Sequence, residues 1–267
     1  MDHAQVSDTW ERGDAYEQYI GRWSRRVAPL FLAWLRMPAG LRWLDIGCGT
    51  GALCAAIADT CLPASVTGVE PSPGFLEAAR QNLAGRAALL PGNAAQVPLG
   101  DSAVDVTVSG LVLNFVPDLD GALAEMVRVT SNGGTIGAYV WDYAGRMEFL
   151  RIYWDAVVEL DPQAAGLDEG IRFPLCHPER LQELFAGAGL AGVETTSIDI
   201  PTHFASFAAF WQPFEGGQGP APAYAMALDE SARRRLRENL QARLPVEADG
   251  SISLTARAWA VRATLAK

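Results

Sequence analysis

The chain has 267 residues, 49% of them hydrophobic and 19% charged. That is enough apolar material for one large globular domain, or a core domain with a built-in cap, and too much for a disordered chain. Acidic side chains outnumber basic ones 31 to 21, a formal net charge of −10, so the mean field repels phosphate backbones and anionic membrane surfaces; no nucleic acid and no stable membrane association are expected. The single lysine is Lys267, which excludes chemistry that needs an internal amine: Schiff-base enzymes, P-loop nucleotidases and kinases.

Met1 to Gly13 is polar and charged rather than basic-then-apolar, and no window approaches 18 uninterrupted apolar residues, so a cytoplasmic location is expected. Cys48, Cys54, Cys61 and Cys176 form no C-x-x-C pair, and His3, His177 and His203 add little to the ligand supply, so no metal site is expected. Tyr16–Leu35 reads as a helical segment in which Tyr16, Tyr19, Arg22 and Trp23 recur at helical spacing and Gly21 permits a bend. Such a stripe fits either a core-facing helix or a lid over a ligand.

From Trp43 to Trp141 short β-branched runs alternate with Ala/Leu-rich stretches, a βαβ rhythm. Strands are predicted at Arg42–Ile46, Ser65–Glu70, Ala87–Leu90, Val104–Ser109 and Thr135–Trp141, with helices at Gly51–Asp59, Pro73–Leu83 and Leu119–Val129. Right-handed crossovers then give an open parallel sheet covered on both faces, with ligands at the carboxyl ends of its strands. After Trp141 helices are predicted at Gly145–Leu160 and Pro178–Gly187, and strands at Val193–Ile200 and Ile252–Val261. If those two strands form an antiparallel edge, the residues between them are an insertion, whose run Gly216–Ala223 (GGQGPAPA) is expected to be a flexible loop. The expected organisation is a helical lid over 1–38, a ligand-binding core over 39–142, and over 143–267 the rest of the core with a cap insertion around 202–250.

The strongest motif is Trp43–Gly51, WLDIGCGTG, where a strand hands over to a helix. Gly47, Gly49 and Gly51 allow a tight turn and close backbone approach to a ligand, and Asp45 sets a carboxylate at the strand end. Gly47, Gly49 and Ala52 also satisfy the dinucleotide pattern G-x-G-x-x-[GA], so the glycines alone discriminate poorly. The acid separates the readings: beside a pyrophosphate it is repulsive, whereas it suits a cationic ligand end such as an ammonium group. Glu70 closes the second strand 25 residues later in VTGVEPSPG, placed to accept both hydroxyls of a ribose, a role that serves the ligand and should leave stability little changed on its loss. Gly92-Asn93-Ala94 follows the third strand, where an amide can pair with an adenine edge. Ser109–Pro117, SGLVLNFVP, follows the fourth and is expected to floor the pocket.

In this order the motifs resemble those of the class I S-adenosylmethionine-dependent methyltransferases, from about Trp43 to Trp141, and YIGRWSRR at Tyr19–Arg26 is similar to the N-terminal segment of small-molecule bacterial members. The resemblance implies an α/β fold, a doubly wound Rossmann-like mixed sheet of seven strands in the order 3-2-1-4-5-7-6 with helical cap insertions. It implies S-adenosylmethionine as cofactor, held by Tyr19, Arg22, Asp45, Gly47, Cys48, Gly49, Gly51, Glu70, Pro71, Asn93, Ala94, Gly110 and Leu111. In a closed lid Arg22 would neutralise the methionine carboxylate. Two departures stand out. The adenine position is more often aspartate than Asn93, and no N-P-P-[YFW] follows the fourth strand, so amino methylation of the DNA-adenine type is not supported.

The implied function is methyl transfer to a small, partly apolar acceptor. In-line displacement at a sulfonium needs the acceptor held about 3–3.5 Å away and water excluded. A base matters only if the acceptor must lose a proton. His177, His203, Asp142 and Tyr143 are equal candidates for such a base and none is singled out. Cys48 is read as packing rather than a nucleophile. Phe204, Phe207, Phe210, Trp211 and Phe214 are read mostly as core, with one or two as pocket lining. A nicotinamide-dependent oxidoreductase would offer a Y-x-x-x-K pair, which a chain without an internal lysine lacks; a noncatalytic module that holds the cofactor or its product stays open.

Overall fold

The computed structural model describes residues 20–216 and 219–266. Strands β1 (Arg42–Ile46), β2 (Ser65–Glu70), β3 (Ala88–Pro91), β4 (Val104–Gly110), β5 (Thr130–Trp141), β6 (Ala191–Phe204) and β7 (Ile252–Thr264) form one sheet ordered β3-β2-β1-β4-β5-β7-β6. β1 pairs in parallel with β2 and β4, β2 with β3, and β4 with β5, while β7 runs antiparallel to β5. The inner strands are apolar on both faces, as parallel strands covered by helices must be: Trp43, Leu44, Ile46, Val106 and Val108 are fully buried.

The described residues divide into two compact units. The sheet unit holds Ser24–Trp141, Leu175–Ile198 and the residues from Ala258 onward. Its helices are most of α1 (Arg22–Leu35), α2 (Ala52–Thr60), α3 (Pro73–Leu83), α4 (Leu119–Val129) and α7 (Pro178–Gly187). α3 begins where its sequence says it should: Pro73 sits in the first turn and the Ser72 hydroxyl accepts from Phe75 N at 3.4 Å. Asp118 caps α4 in the same way, through Gly121 N at 2.9 Å. α1 buries Val27, Ala28, Phe31, Leu32 and Leu35, with Phe31 4.7 Å from the ring of Tyr139. Its last carbonyls, of Trp34 and Leu35, accept from the Arg262 guanidinium, which also pairs with Glu194 at 2.9 Å. Residues 24–35 are therefore part of this unit's packed core, while Tyr16 and Tyr19 of the expected lid lie outside the described residues.

β5 starts five residues earlier than expected. Asn132-Gly133-Gly134 looks like a turn, but the ladder absorbs it as a bulge, Val104 facing Thr130 and Val106 facing Thr135.

The helical unit holds Asp142–Pro174, Asp199–Arg257 and the described residues up to Trp23. Its helices are α5 (Glu148–Leu160), α6 (Glu169–Arg172), α8 (Phe207–Trp211), α9 (Pro220–Ala227) and α10 (Glu230–Arg243). Phe204, Phe210, Trp211 and Phe214 are buried and lie ring on ring, with Tyr153 stacked on Phe214 at 4.4 Å. They are this unit's core. The expected loop over Gly216–Ala223 is corrected: Pro220–Ala227 is a helix. Both prolines occupy its first turn, where no intrahelical N–H bond is lost, and the Ala221 carbonyl is anchored by Tyr153 Oη at 2.8 Å.

Candidate active site

The carboxyl ends of β1, β2 and β4 lie side by side, Asp45 facing Gly68 and Val108 across the ladders. Between β1 and α2 the chain turns through Gly47, Gly49 and Gly51, at φ +72°, +54° and +89°. Gly47 N and Cys48 N both donate to the Val69 carbonyl, at 2.8 and 3.1 Å, which lashes the loop to β2. A Cβ on Gly47 would lie 2.5 Å from Val112 Cγ1, whereas one on Gly49 would meet nothing within 4 Å. The two glycines thus do different work: Gly47 admits the chain after β4, and Gly49 keeps open space open.

Asp45 is 1% exposed. Its Oδ2 accepts from the Cys54 thiol at 3.3 Å, the Cys54 backbone N–H also donates to the carboxylate, and its Oδ1 has no hydrogen-bond partner among the described residues. Burial pushes its carboxyl up to about 7, with the nearby Glu70 charge adding to the shift and the Cys54 thiol opposing it. Cys48 is buried beside Cys54 and packs against Gly68, where no side chain would fit.

Glu70 is 6% exposed and its carboxylate is already engaged: Oε2 accepts from Gly49 N and Oε1 from Ser72 N, each at 3.0 Å. Burial moves its pKa upward against these two donors. The expectation that Glu70 serves the ligand alone is corrected. It also buckles the glycine loop to the start of α3, past Pro71. Two bonds leave further acceptor directions open, because a carboxylate offers about four lone-pair sites.

After β3, Gly92 N donates to the Glu70 carbonyl at 3.3 Å, and Asn93 Oδ1 accepts from Ala95 N at 3.0 Å. That bond uses the amide oxygen and leaves the Asn93 amide nitrogen as a donor, with Ala94 next in the chain. After β4, Gly110 approaches the Tyr139 hydroxyl so closely that a Cβ would lie 2.6 Å from it. Leu111 then takes a left-handed conformation at φ +63°, held by its N–H on the Tyr139 carbonyl at 2.7 Å. A buried leucine in that region is strained, and such strain collects at functional sites. Asn114, one turn on, has a buried Nδ2 without a partner among the described residues.

The sheet unit therefore brings together Asp45, Gly47, Cys48, Gly49, Gly51, Glu70, Pro71, Asn93, Ala94, Gly110 and Leu111. Cys54 and Ser72 were missed by the sequence reading, whereas Val112 lies in the Ser109–Pro117 segment expected to floor the pocket; the signal for Cys54 is its place on the inward face of the helix that the glycine loop opens. Tyr19 lies outside the described residues. Arg22 belongs to the helical unit, its guanidinium 4.5 Å from the Trp23 ring and 5.1 Å from that of Phe204.

The four candidate bases fare alike. Asp142 spends both oxygens on its own turn, accepting from Gly145 N at 3.0 Å and Arg146 N at 2.9 Å. Tyr143 is buried against Phe173 at 5.6 Å. His177 caps α7 through its backbone alone, and His203 is exposed, 3.4 Å from the Ser253 hydroxyl. Among the described residues no group of His, Cys, Asp and Glu side chains is arranged to hold a metal, and no helix is long and apolar enough to cross a membrane.

A doubly wound sheet with an acid at the end of each of its first two central strands and a glycine turn between them defines a nucleoside-binding α/β protein. Comparison with known proteins is more specific. A methyltransferase-domain family matches residues 44–137. The chain is similar to malonyl-[acyl-carrier protein] O-methyltransferases of Serratia marcescens, 40% identical over 118 residues (44% of this chain and 45% of that one), and of Geobacter sulfurreducens, 30% identical over 217 residues (79% of each). It thus spans less than half the length of the first and about four fifths of the second. Among solved structures it resembles phosphoethanolamine N-methyltransferase 2 of Haemonchus contortus, held there with phosphomonomethylethanolamine and S-adenosylhomocysteine. The TM-score is 0.58 at 18% identity, covering 100% of this chain and 59% of that one. The chain belongs to the class I S-adenosylmethionine-dependent methyltransferases, and it is an enzyme of that family.

Proposed function

We propose that the enzyme methylates a carboxylate oxygen on a small, partly apolar acceptor. The cofactor site carries the methyl-transfer half of this reading. Asp45 offers a desolvated oxygen with no partner among the described residues, suited to an ammonium group, Glu70 keeps spare lone pairs for two ribose hydroxyls, and Gly49 leaves room for backbone approach. The residues present thus fit S-adenosylmethionine, which when bound supplies an electrophilic methyl group on sulfur. In this reading Asn93 and Ala94 meet the adenine edge, the Asn93 amide nitrogen as donor. The strained turn at Gly110 and Leu111, with Val112 packed on Gly47, floors the pocket.

The carboxylate half has two supports. One is the similarity over four fifths of the chain to a relative named for O-methylation of a malonyl group. The other is the state of the candidate bases. Asp142 has both oxygens engaged by its own turn, Tyr143 is buried against Phe173, and the two histidines are exposed. A carboxylate is already deprotonated at neutral pH and needs none of them. Positioning and exclusion of water then suffice.

The test is turnover with methyl-labelled S-adenosylmethionine against acyl thioesters ending in a carboxylate, with amine and phenol acceptors in parallel. The expected product is a methyl ester, which releases its label as methanol in mild base. A base-stable label, or no transfer to any carboxylate while S-adenosylhomocysteine still binds, overturns the proposed acceptor.

A further inference from the structure

The pairing of Asp45 with Cys54 has a chemical consequence that ligand geometry alone does not. A carboxylate that is 1% exposed is usually held by ion pairs or several N–H donors. Glu70, 25 residues on, shows that pattern with two backbone N–H groups. Asp45 does not: its donors come from Cys54 alone, the thiol (a weak donor) on Oδ2 and the Cys54 backbone N–H, and among the described residues Oδ1 has no partner. The groups facing it are the Cys54 thiol from α2, Cys48 from the glycine loop through its contact with Cys54, and Glu70 from β2. Among these described groups none is a cation, and Glu70 repels a charge on Asp45. Cys54 itself is shifted well upward by Cys48, by burial and by Asp45, so it stays a thiol and a donor.

We infer that Asp45 holds a proton in the unliganded site, gives it up to solvent when a ligand's ammonium end binds, and that Cys54 is the positioning residue that sets how readily it leaves. The exchange balances: a neutral acid and an ammonium become a carboxylate–ammonium pair plus one proton in solution. The ligand supplies the cation that the described residues facing Asp45 lack. Cofactor affinity is thereby linked to pH near neutrality, where the Asp45 carboxyl, pushed up to about 7, changes charge. The inference rests on the cofactor-site reading above and adds to it a proton count and a role for Cys54.

The experiment is calorimetric titration of the full chain with S-adenosylhomocysteine between pH 5.5 and 7.5, in buffers of different ionisation enthalpy. Adenosine, which lacks the amino-acid end, is the control. Release of about three quarters of a proton per ligand is expected at pH 6.5, with affinity falling roughly tenfold from pH 7.5 to pH 6. Adenosine should release none. A hydrogen bond donated to a carboxylate favours its charged form, so Cys54→Ala should move the midpoint of release upward, and Cys54→Ser, a better donor, should move it to or below the parent value. Binding of S-adenosylhomocysteine without proton release overturns the inference while leaving the cofactor site intact. Equal release by adenosine assigns the proton to Glu70 and overturns it too. An unmoved midpoint in both Cys54 variants removes the role of the thiol, and if Cys54→Ala fails to fold, Cys54→Ser decides that point alone. Failure of S-adenosylhomocysteine to bind at any pH strikes the cofactor-site reading, and the inference falls with it.

Discussion

The indole nitrogen of Trp154 donates to the carboxyl of Glu169, and both side chains are buried in the helical unit. Burial pushes Glu169 up to about 8, Asp168 adds to the shift, and the Trp154 bond and Arg172 oppose it. The folded value lies above the unfolded one, near 4.5, so the native state binds the extra proton. Glu169 therefore contributes stability that is full below about 4.5 and is lost as pH rises through about 8. Glu169→Gln should flatten that slope, raising thermal stability at pH 8.5 relative to the parent by on the order of a few kcal/mol while changing little at pH 5. Melting curves of both proteins across this range check it; parallel pH profiles would show that Glu169 is not the titrating group.

Replacing Glu70 should now cost twice over. Glu70→Ala removes the proposed ribose acceptors, weakening S-adenosylhomocysteine by on the order of 1.5–3 kcal/mol per charged hydrogen bond. It also strands Gly49 N and Ser72 N, so the melting temperature should fall as well. Glu70→Gln keeps one carbonyl acceptor and should recover more stability than affinity. Affinity within twofold of the parent in Glu70→Ala would refute the ribose assignment.

Gly47 and Gly49 should separate folding from binding. Gly47→Ala drives a Cβ into Val112 and should destabilise the fold by about 1–3 kcal/mol, with Val112→Ala giving partial rescue. Gly49→Ala meets nothing and should cost only about 1 kcal/mol of left-handed strain, yet should abolish S-adenosylhomocysteine binding. Chemical denaturation and calorimetry on the two variants read these outcomes. Normal binding by Gly49→Ala would mean that no ligand approaches there.

Arg22 lies over two aromatic rings, with Nε and Nη2 buried and unpartnered among the described residues. A planar, weakly hydrated guanidinium tolerates this better than a compact ammonium. Arg22→Lys should lower stability by about 1 kcal/mol despite keeping the charge. An unchanged denaturation midpoint would show that the rings contribute nothing through the cation.

The sheet was legible because its parallel strands are short apolar runs separated by glycine and helix-cap signals, so β1, β2 and α3 fall where the pattern puts them. Asp45, the three glycines and Glu70 were legible because strand ends are the one place where an acid interrupts such runs. Less visible was anything that depends on a long-range neighbour. The bulge at Ser131–Gly134 looks like a turn until β4 pairs beside it, and Pro220 and Pro222 look like loop residues until they share the first turn of a helix. Cys54 reads as a packing residue in any helix of that composition. The left-handed backbone at Leu111 has no signature in leucine, and only the Tyr139 carbonyl that holds it accounts for it.

β7, the last strand along the chain, lies between β5 and β6 in the sheet rather than at its edge. During synthesis β5 therefore presents an open edge, and β6, although already made, has nothing to pair with until more than forty further residues have emerged. Ribosome-bound chains halted before Ala258 would leave β5 paired on its β4 side alone and β6 without the complete β7, two exposed edges rather than one. The charged side chains on this seam, Glu194 on β6 and Arg262 on β7, meet only when that final stretch arrives, so closure of the sheet and anchoring of α1 by Arg262 are the same late event.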